Sequence, residues 1–524
     1  MSTDTEKANI QVIDDKAESV GPTKPQQIIQ IDNCQVLGLD PEDAEFYLNY
    51  PAEKKKKIIH KVDIRLIPVL TILYLVSHID RANIGNAKIE GLVEDLNLTG
   101  VQWNIALSIF FVPYVLLEVP SNMILKKFDR PSVYLGTLIV LWGVVMTLTG
   151  VVKNFAGLMI TRLFLGAFEA GFYPGAVYLC SCWYMPKDLA TRISYFYCAS
   201  ALSGAFSGLL AAAIAKMDGT AGYEGWRWIF LLEGIATVVL GVLCFFFLVD
   251  SPRLSSRWLE PDEIRYLEIE KFIKDGGAYQ EEAEDSGRSG QWHDLKMVMS
   301  NWRLYMQAYL LLVCSTCSYG TKFTLPTIVK SMGFSNTNAQ LMTVPPYVAG
   351  ALSSIFFAKL SDHYFWRLPF VAIPFTLITI GYAVIISFDG ALGAHIGPSF
   401  FAIILTCMGI YPIQPAASSW AANNLAPANR RAIGVAFNIC IGSMGGVVGS
   451  YMYIESEKPK YYTGFGLSLA FGATAFIMTF LIELSYKWGN KRKARLSEDE
   501  VRAKYSDAQL RDLGDKSPLF KYVL

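Results

Sequence analysis

The sequence predicts an all-α integral membrane protein of twelve transmembrane helices in two pseudo-symmetric six-helix bundles. Three observations carry that prediction. Of 524 residues, 52% are hydrophobic and only 18% charged, and the mean hydropathy of +0.31 is too apolar for a soluble chain of this length. Apolar segments of about 20 residues, the length that crosses a bilayer core, recur throughout. A single polar stretch, residues 250–300, divides them six and six.

Residues 1–60 are polar and lack the apolar h-region of a signal peptide, so a disordered cytoplasmic tail is expected there. The first bundle, 61–249, holds spans near 64–87, 102–125, 131–151, 155–182, 190–215 and 227–249. In the central loop, PDEIRYLEIEKFIKDGG has Pro261 at a helix start and Gly276 after its end. The second bundle, 301–490, holds spans near 303–328, 338–360, 368–388, 398–423, 431–453 and 463–488, and residues 491–524 form a second tail. SIFFVPYVLLEVPSNMILKKFDRP (108–131) and TVPPYVAGALSSIFFAKLSDHYFWRLP (343–369) echo one another, each an apolar span followed by a short loop with acid and base.

Lys and Arg set the expected orientation. Lys54 to Lys57, Arg65, Lys127, Arg130, Lys187, Arg192, Lys359, Arg367, Arg430, Arg431 and the run KRKAR fall on one side, against fewer on the other. Both termini and the central loop are therefore expected in the cytoplasm, in the plasma membrane, with the sequon Asn97-Leu98-Thr99 outside. The net charge of +0 gives no bias toward nucleic acid, and the nine scattered cysteines read as reduced packing residues.

Charges inside apolar spans are the candidates for function, because burying them costs several kcal/mol unless they are used or paired. In LTILYLVSHIDRANIGNA the apolar run before Asp80 is about 16 residues, short of the roughly 20 needed, so the helix must continue and carry Asp80 and Arg81 into the membrane. The alternative is a helix that stops at Ile79 and leaves the pair in the headgroups. In the fourth span Arg162 and Glu169 are seven apart, about two turns, and share a face, where they could neutralise each other or brace the bundle. Tyr74, His78 and Arg81 form one face of the first helix; Tyr114 and Glu118 share a face of the second, with Glu118 near its cytoplasmic end. Lys322, four residues before Pro326, could reach an anionic ligand or snorkel to the interface.

DRANIGNA, RLFLGAFEAGFYPG and the SYG…LP turn of the seventh span resemble the anion:cation symporter branch of the major facilitator superfamily, over about residues 60–490. LVSHIDRANIGNAKIEGL, SMGFSNTNAQLMTVPPY and CMGIYP are most similar to its fungal group of nicotinic acid, allantoate and pantothenate permeases. In more distant relatives an Asp-Arg dipeptide and an Arg and Glu seven apart serve coupling and substrate binding. The resemblance therefore implies proton coupling by Asp80 and Glu169 and substrate binding by Arg81 and Arg162, with Trp420 and Asn438 as substrate-side residues of the second bundle. The family's loop pattern G-x-L-x-D-R-x-G-R is present only as N-M-I-L-K-K-F-D-R-P, so its gate contacts do not carry over.

Proton-coupled uptake of a small vitamin-like monocarboxylate, nicotinate first, is the function these residues imply. Substrate contacts are expected from Tyr74, Arg81, Tyr114, Arg162, Lys322, Trp420 and Asn438. Protons are the coupling ion, no other cofactor is expected, and the partners are the carboxylate and the lipid bilayer, with no nucleic acid, for a monomer. No P-loop, GxSxG or HExxH is present, so an enzyme or ATP-driven pump is not expected. A proton-antiporting exporter and a non-transporting nutrient sensor with the same fold remain as alternatives.

Overall fold

Every regular element is a helix in the computed structural model, which describes residues 40–524 apart from 126, 276–287, 365, 427, 459, 506–508 and 511–512. Eleven helices among the described residues are long and apolar enough to cross a bilayer. In the first half these are Ala52–Ile89, Gly100–Leu125, Pro131–Thr149, Phe155–Trp183, Thr191–Met217 and Gly225–Phe247. In the second half they are Asn336–Ser361, Leu368–Ser387, Ile396–Asn423, Ile433–Met452 and Tyr462–Lys493. Between the halves runs a helix of 30 residues, Trp302–Ser331, in the place of the expected seventh span. Its buried residues include Gln307, Thr316, Thr321 and Lys322, which dilute its apolar character because it faces protein rather than lipid.

The first helix is continuous for 38 residues, so DRANIGNA is helical and Asp80 and Arg81 lie inside the span. A stop at Ile79 is excluded. Gly85 of that motif has a packing role: a Cβ there would lie 3.1 Å from the Phe323 carbonyl oxygen, so only glycine lets the first and seventh spans approach backbone to backbone. The third and sixth spans meet in the same way, where a Cβ on Gly143 would come within 2.8 Å of the Val238 nitrogen.

Buried side chains fall into two main cores, one for each bundle, while Leu116, Phe246, Leu352 and Trp488 lie exposed on the outside, as lipid contact requires. The packing repeats between halves. First on fifth and third on sixth in one bundle correspond to seventh on eleventh and ninth on twelfth in the other. Across the interface second meets eleventh as fifth meets eighth, and the first and seventh spans face each other.

The expected disordered tail 1–60 is corrected in its described part. Pro41–Asn49 is a helix and the first span already begins at Ala52; residues 1–39 lie outside the described residues. What orders this segment is the loop helix Pro261–Asp275. Tyr47 and Tyr50 stack on Tyr266 at 5.2 and 4.7 Å, and Arg265 pairs with Asp43 at 2.6 Å. Residues 513–524 likewise dock on the second bundle through Tyr522, stacked on Tyr486 at 5.1 Å.

Candidate functional site

Where the first and seventh spans face each other, a cavity of about 60 Å³ is walled by Tyr74, His78, Arg81, Tyr114, Tyr319 and Lys322, with Ser200, Gln414 and Ser443 among its other lining residues. That volume holds roughly four waters. Two cations, one from each bundle, therefore share one small enclosure.

Arg81 is 6% exposed and held on three sides. Its Nε donates to Glu169 Oε1 at 2.7 Å, its Nη1 donates to the Tyr319 hydroxyl at 2.7 Å, and its guanidinium lies 4.7 Å from the Tyr114 ring centroid. The Ser77 hydroxyl donates to the same oxygen of Glu169, whose other oxygen has no partner. The fourth helix breaks at Ala170 and Gly171, immediately after this carboxylate. The ion pair therefore ties the first span to the fourth.

Lys322 is 3% exposed and does not snorkel. Its Nζ lies 3.2 Å from His78 Nδ1 and donates to the Ser200 carbonyl oxygen at 3.2 Å. Toward a protonated Lys322, Nδ1 of His78 is the acceptor and the ring is neutral. Tyr74 packs edge-on against His78 at 4.5 Å and is surrounded by Phe172, Tyr173, Phe196 and Tyr197. This aromatic wall limits access of water to the cations.

The remaining candidates are placed differently from expectation. Arg162 is buried, but its Nε and Nη2 have no hydrogen-bond partner; Glu169 is taken by Arg81, because sharing a helical face does not decide which neighbour a side chain turns to. Asp80 does not pair with Arg81. Its Oδ2 accepts from Trp142 Nε1 at 3.1 Å and Thr237 Oγ1 at 3.0 Å, on the side away from the cavity. Trp420, expected on the substrate side, is not in the cavity wall; its Nε1 donates to the Val523 carbonyl at 3.1 Å, so it anchors the docked segment. Asn438 is also outside the wall, buried with both amide atoms unpartnered, one residue from the wall residue Ile439. Glu118 meets the second bundle through Cys440 Sγ, 3.7 Å from Oε2.

The sequence reading missed Glu233, buried in the sixth span, although one acid inside FLLEGIATVVL is the same signal that marked Asp80. It missed Tyr319 and Ser200, which no pattern distinguishes from packing residues. Cys314 and Cys317, a C-x-x-C pair in the seventh span, are free thiols.

At the end of the bundles away from the termini the interface is shut. Lys88 pairs with Glu455 at 2.6 Å, Asn336 Nδ2 donates to the Ile89 carbonyl at 3.0 Å and Gln340 Nε2 donates to Glu90 at 3.0 Å. The cavity is therefore closed off from that end.

A polytopic fold of two repeated bundles around an enclosed, charged cavity defines a membrane transporter, and the family comparison agrees. The Major Facilitator Superfamily model matches residues 70–450, and the chain belongs to that family. It is a transporter of small molecules rather than an enzyme. The chain is 35% identical over 488 residues to the MFS-type transporter cnsO of Penicillium expansum, covering 91% of this chain and 92% of that one. It is 32% identical over 481 residues to the high-affinity nicotinic acid transporter of Saccharomyces cerevisiae, covering 91% and 86%. Among solved structures, a bacterial homolog of the human lysosomal transporter Spinster, inward-facing and occupied, aligns with a TM-score of 0.60 at 16% identity, covering 80% of this chain and 96% of that one. That likeness concerns the fold alone.

Proposed function

We propose that this transporter imports a small organic monocarboxylate together with protons, with nicotinate the first substrate to test. The observation that carries this reading is the pairing of Arg81 and Lys322 in one aromatic-walled cavity, with Glu169 occupying Arg81. An ionised Glu169 competes with substrate for the guanidinium. Protonation of Glu169 releases Nε, and the freed planar donor pair receives the substrate carboxylate bidentately. Proton and anion therefore bind together. Lys322 supplies a point charge from the opposite bundle, so bound anion draws the bundles together and alternating access follows by rocking about this site. The 32% identity to a nicotinic acid transporter supports the choice of probe.

The same reading places both termini in the cytoplasm of a plasma-membrane carrier, by the distribution of Lys and Arg. One proton with one monoanion uses the pH gradient, about 1.4 kcal/mol per unit; each additional proton adds about 2.3 kcal/mol per 100 mV. Uptake of labelled nicotinate by cells expressing the chain, at about pH 5 and about pH 7 outside, tests it. Greater accumulation at the lower pH, competed by unlabelled carboxylates, is expected. Expulsion would make the chain an exporter, and specific binding without flux a sensor.

A further inference from the structure

A polar cluster lies inside the first bundle, outside the cavity wall, and joins four spans. Asp80 and Glu233 are its carboxyls, 0% and 7% exposed, and neither is among the wall residues. Asp80 Oδ2 accepts from Trp142 Nε1 and Thr237 Oγ1. Glu233 Oε2 accepts from the Asn83 amide, whose oxygen accepts from Ser207 Oγ at 3.1 Å, while Asn86 Nδ2 donates to that hydroxyl at 2.7 Å. One oxygen of each carboxyl, Asp80 Oδ1 and Glu233 Oε1, has no partner.

Two features set this cluster apart from a structural hydrogen-bond network. Every donor to the two carboxyls is neutral, and among the described residues neither carboxyl forms an ion pair. Ionising both in so dry a setting is unfavourable, because each buried charge requires a partner. Thr237 is also shared: its Oγ1 lies 3.0 Å from Asp80 Oδ2 and 2.9 Å from the Glu233 carbonyl oxygen, yet a hydroxyl has one proton to give. When that proton goes to the carbonyl, Asp80 must supply its own to the hydroxyl. The contacts thus accommodate Asp80 in either protonation state.

We infer that Glu233 is a proton-carrying carboxyl that forms, with Asp80, an acid pair behind the substrate cavity, Thr237 bridging the Asp80 carboxyl and the Glu233 backbone. Loading puts a proton on each carboxyl and leaves both neutral. Unloading removes the proton of Glu233 and leaves its carboxylate held by the Asn83 amide, while Asp80 stays neutral beside Trp142 and Thr237. The charged groups near the pair are Arg162 and Glu169 on the fourth span; the third and fifth spans contribute Trp142 and Ser207, which do not titrate here. Arg162, on the fourth span with Glu169, is buried with two unpartnered nitrogens. The inference rests on the proton-coupled reading above and adds one proton per cycle to it.

The full chain in proteoliposomes, with labelled nicotinate as probe, gives the proton number from the pH gradient that stops net flux at a fixed membrane potential. Glu233→Gln is expected to lower that number by one, a tenfold loss of accumulation per pH unit. An unchanged number overturns the inference. Infrared difference spectra of substrate-free protein between about pH 5 and about pH 8 give a reading that does not depend on what is carried. A protonated-carboxyl band that is lost in Glu233→Gln and shifted in Asn83→Ala is expected, and this result would stand even where nicotinate is not transported. Absence of such a band in the wild type overturns the inference even where nicotinate is transported, as does sodium-dependent flux abolished by Glu233→Gln.

Discussion

At the scale of single residues, the sequence reveals which side chains are unusual but not whom they touch. Asp80, Arg81, Arg162 and Glu169 stand out because a charge in an apolar run is costly whatever surrounds it. Their partners depend on how neighbouring helices are rotated, which no spacing within one helix records. Arg81 therefore reaches Glu169 across two spans, while Arg162, expected as its mate, does not. Trp420 carries no such charge signal, and its contact with the Val523 carbonyl joins residues about a hundred apart, which no local pattern records. Two substitutions follow from the observed contacts. Arg81→Lys keeps the charge but loses the fork that serves Glu169 and the Tyr319 hydroxyl. A charge-assisted hydrogen bond contributes about 1.5–3 kcal/mol, so substrate affinity, read from uptake kinetics, should fall roughly tenfold to hundredfold. Lys322→Ala removes the second cation without touching Glu169. Competition assays should show altered preference among carboxylates, with the pH dependence of uptake kept.

At the scale of elements, helix positions were legible because apolar runs and polar breaks are local properties of the chain. The seventh span was found from sequence although its polar residues leave it less apolar than the other eleven. What could not be read was order imposed by docking. Polar segments look disordered when their composition alone is weighed, yet Pro41–Asn49 is fixed by tyrosine stacking on Tyr266. Residues 513–524 are fixed by side chains that read their backbone: Asn424 bonds both the nitrogen and the oxygen of Val523, and Asn490 does the same for Tyr522. Tyr522 also covers Arg303, 4.6 Å from its ring. Truncating a buried aromatic costs about 3 kcal/mol or more. In Tyr522→Ala, hydrogen exchange across 515–524 should accelerate by about a hundredfold, with protection of the twelve spans retained. Unchanged exchange would mean that the asparagine contacts suffice to hold the segment.

At the scale of the whole molecule, the repeated packing of the two halves turns a pair of bundles into a carrier with two ends, and the contacts hold one end shut. The ion pair of Lys88 and Glu455 is partly exposed, at 12% and 38%, and pairs of that kind contribute about 1 kcal/mol or less. Glu455→Ala should therefore raise, by up to roughly fivefold, the rate at which a cysteine replacing the buried Ser108 reacts with a membrane-impermeant thiol reagent from that side. Ser108 lies under Tyr451 of the other bundle, 3.3 Å from its hydroxyl, and is reached only when the bundles part. On the proposed proton-coupled mechanism, opening and closing are coupled to protonation, and Glu169 is the residue through which this coupling can be tested. In the closed form Glu169 holds Arg81, so in an empty carrier Arg81 is paired when Glu169 is ionised. In the proposed mechanism a loaded carrier has the substrate carboxylate on Arg81 and a neutral Glu169. Glu169→Gln mimics the neutral form permanently. The loaded carrier should still cross, whereas the empty one would have to cross with Arg81 buried and unpaired, a loss of about 3–5 kcal/mol. Exchange of external labelled for internal unlabelled substrate never requires the empty crossing, but net uptake requires it in every cycle. Proteoliposomes of Glu169→Gln should therefore retain exchange while net uptake falls more than a hundredfold. Loss of both in a folded variant would make Glu169 a direct substrate contact or a structural brace, and full pH-dependent accumulation would move the coupling to Asp80.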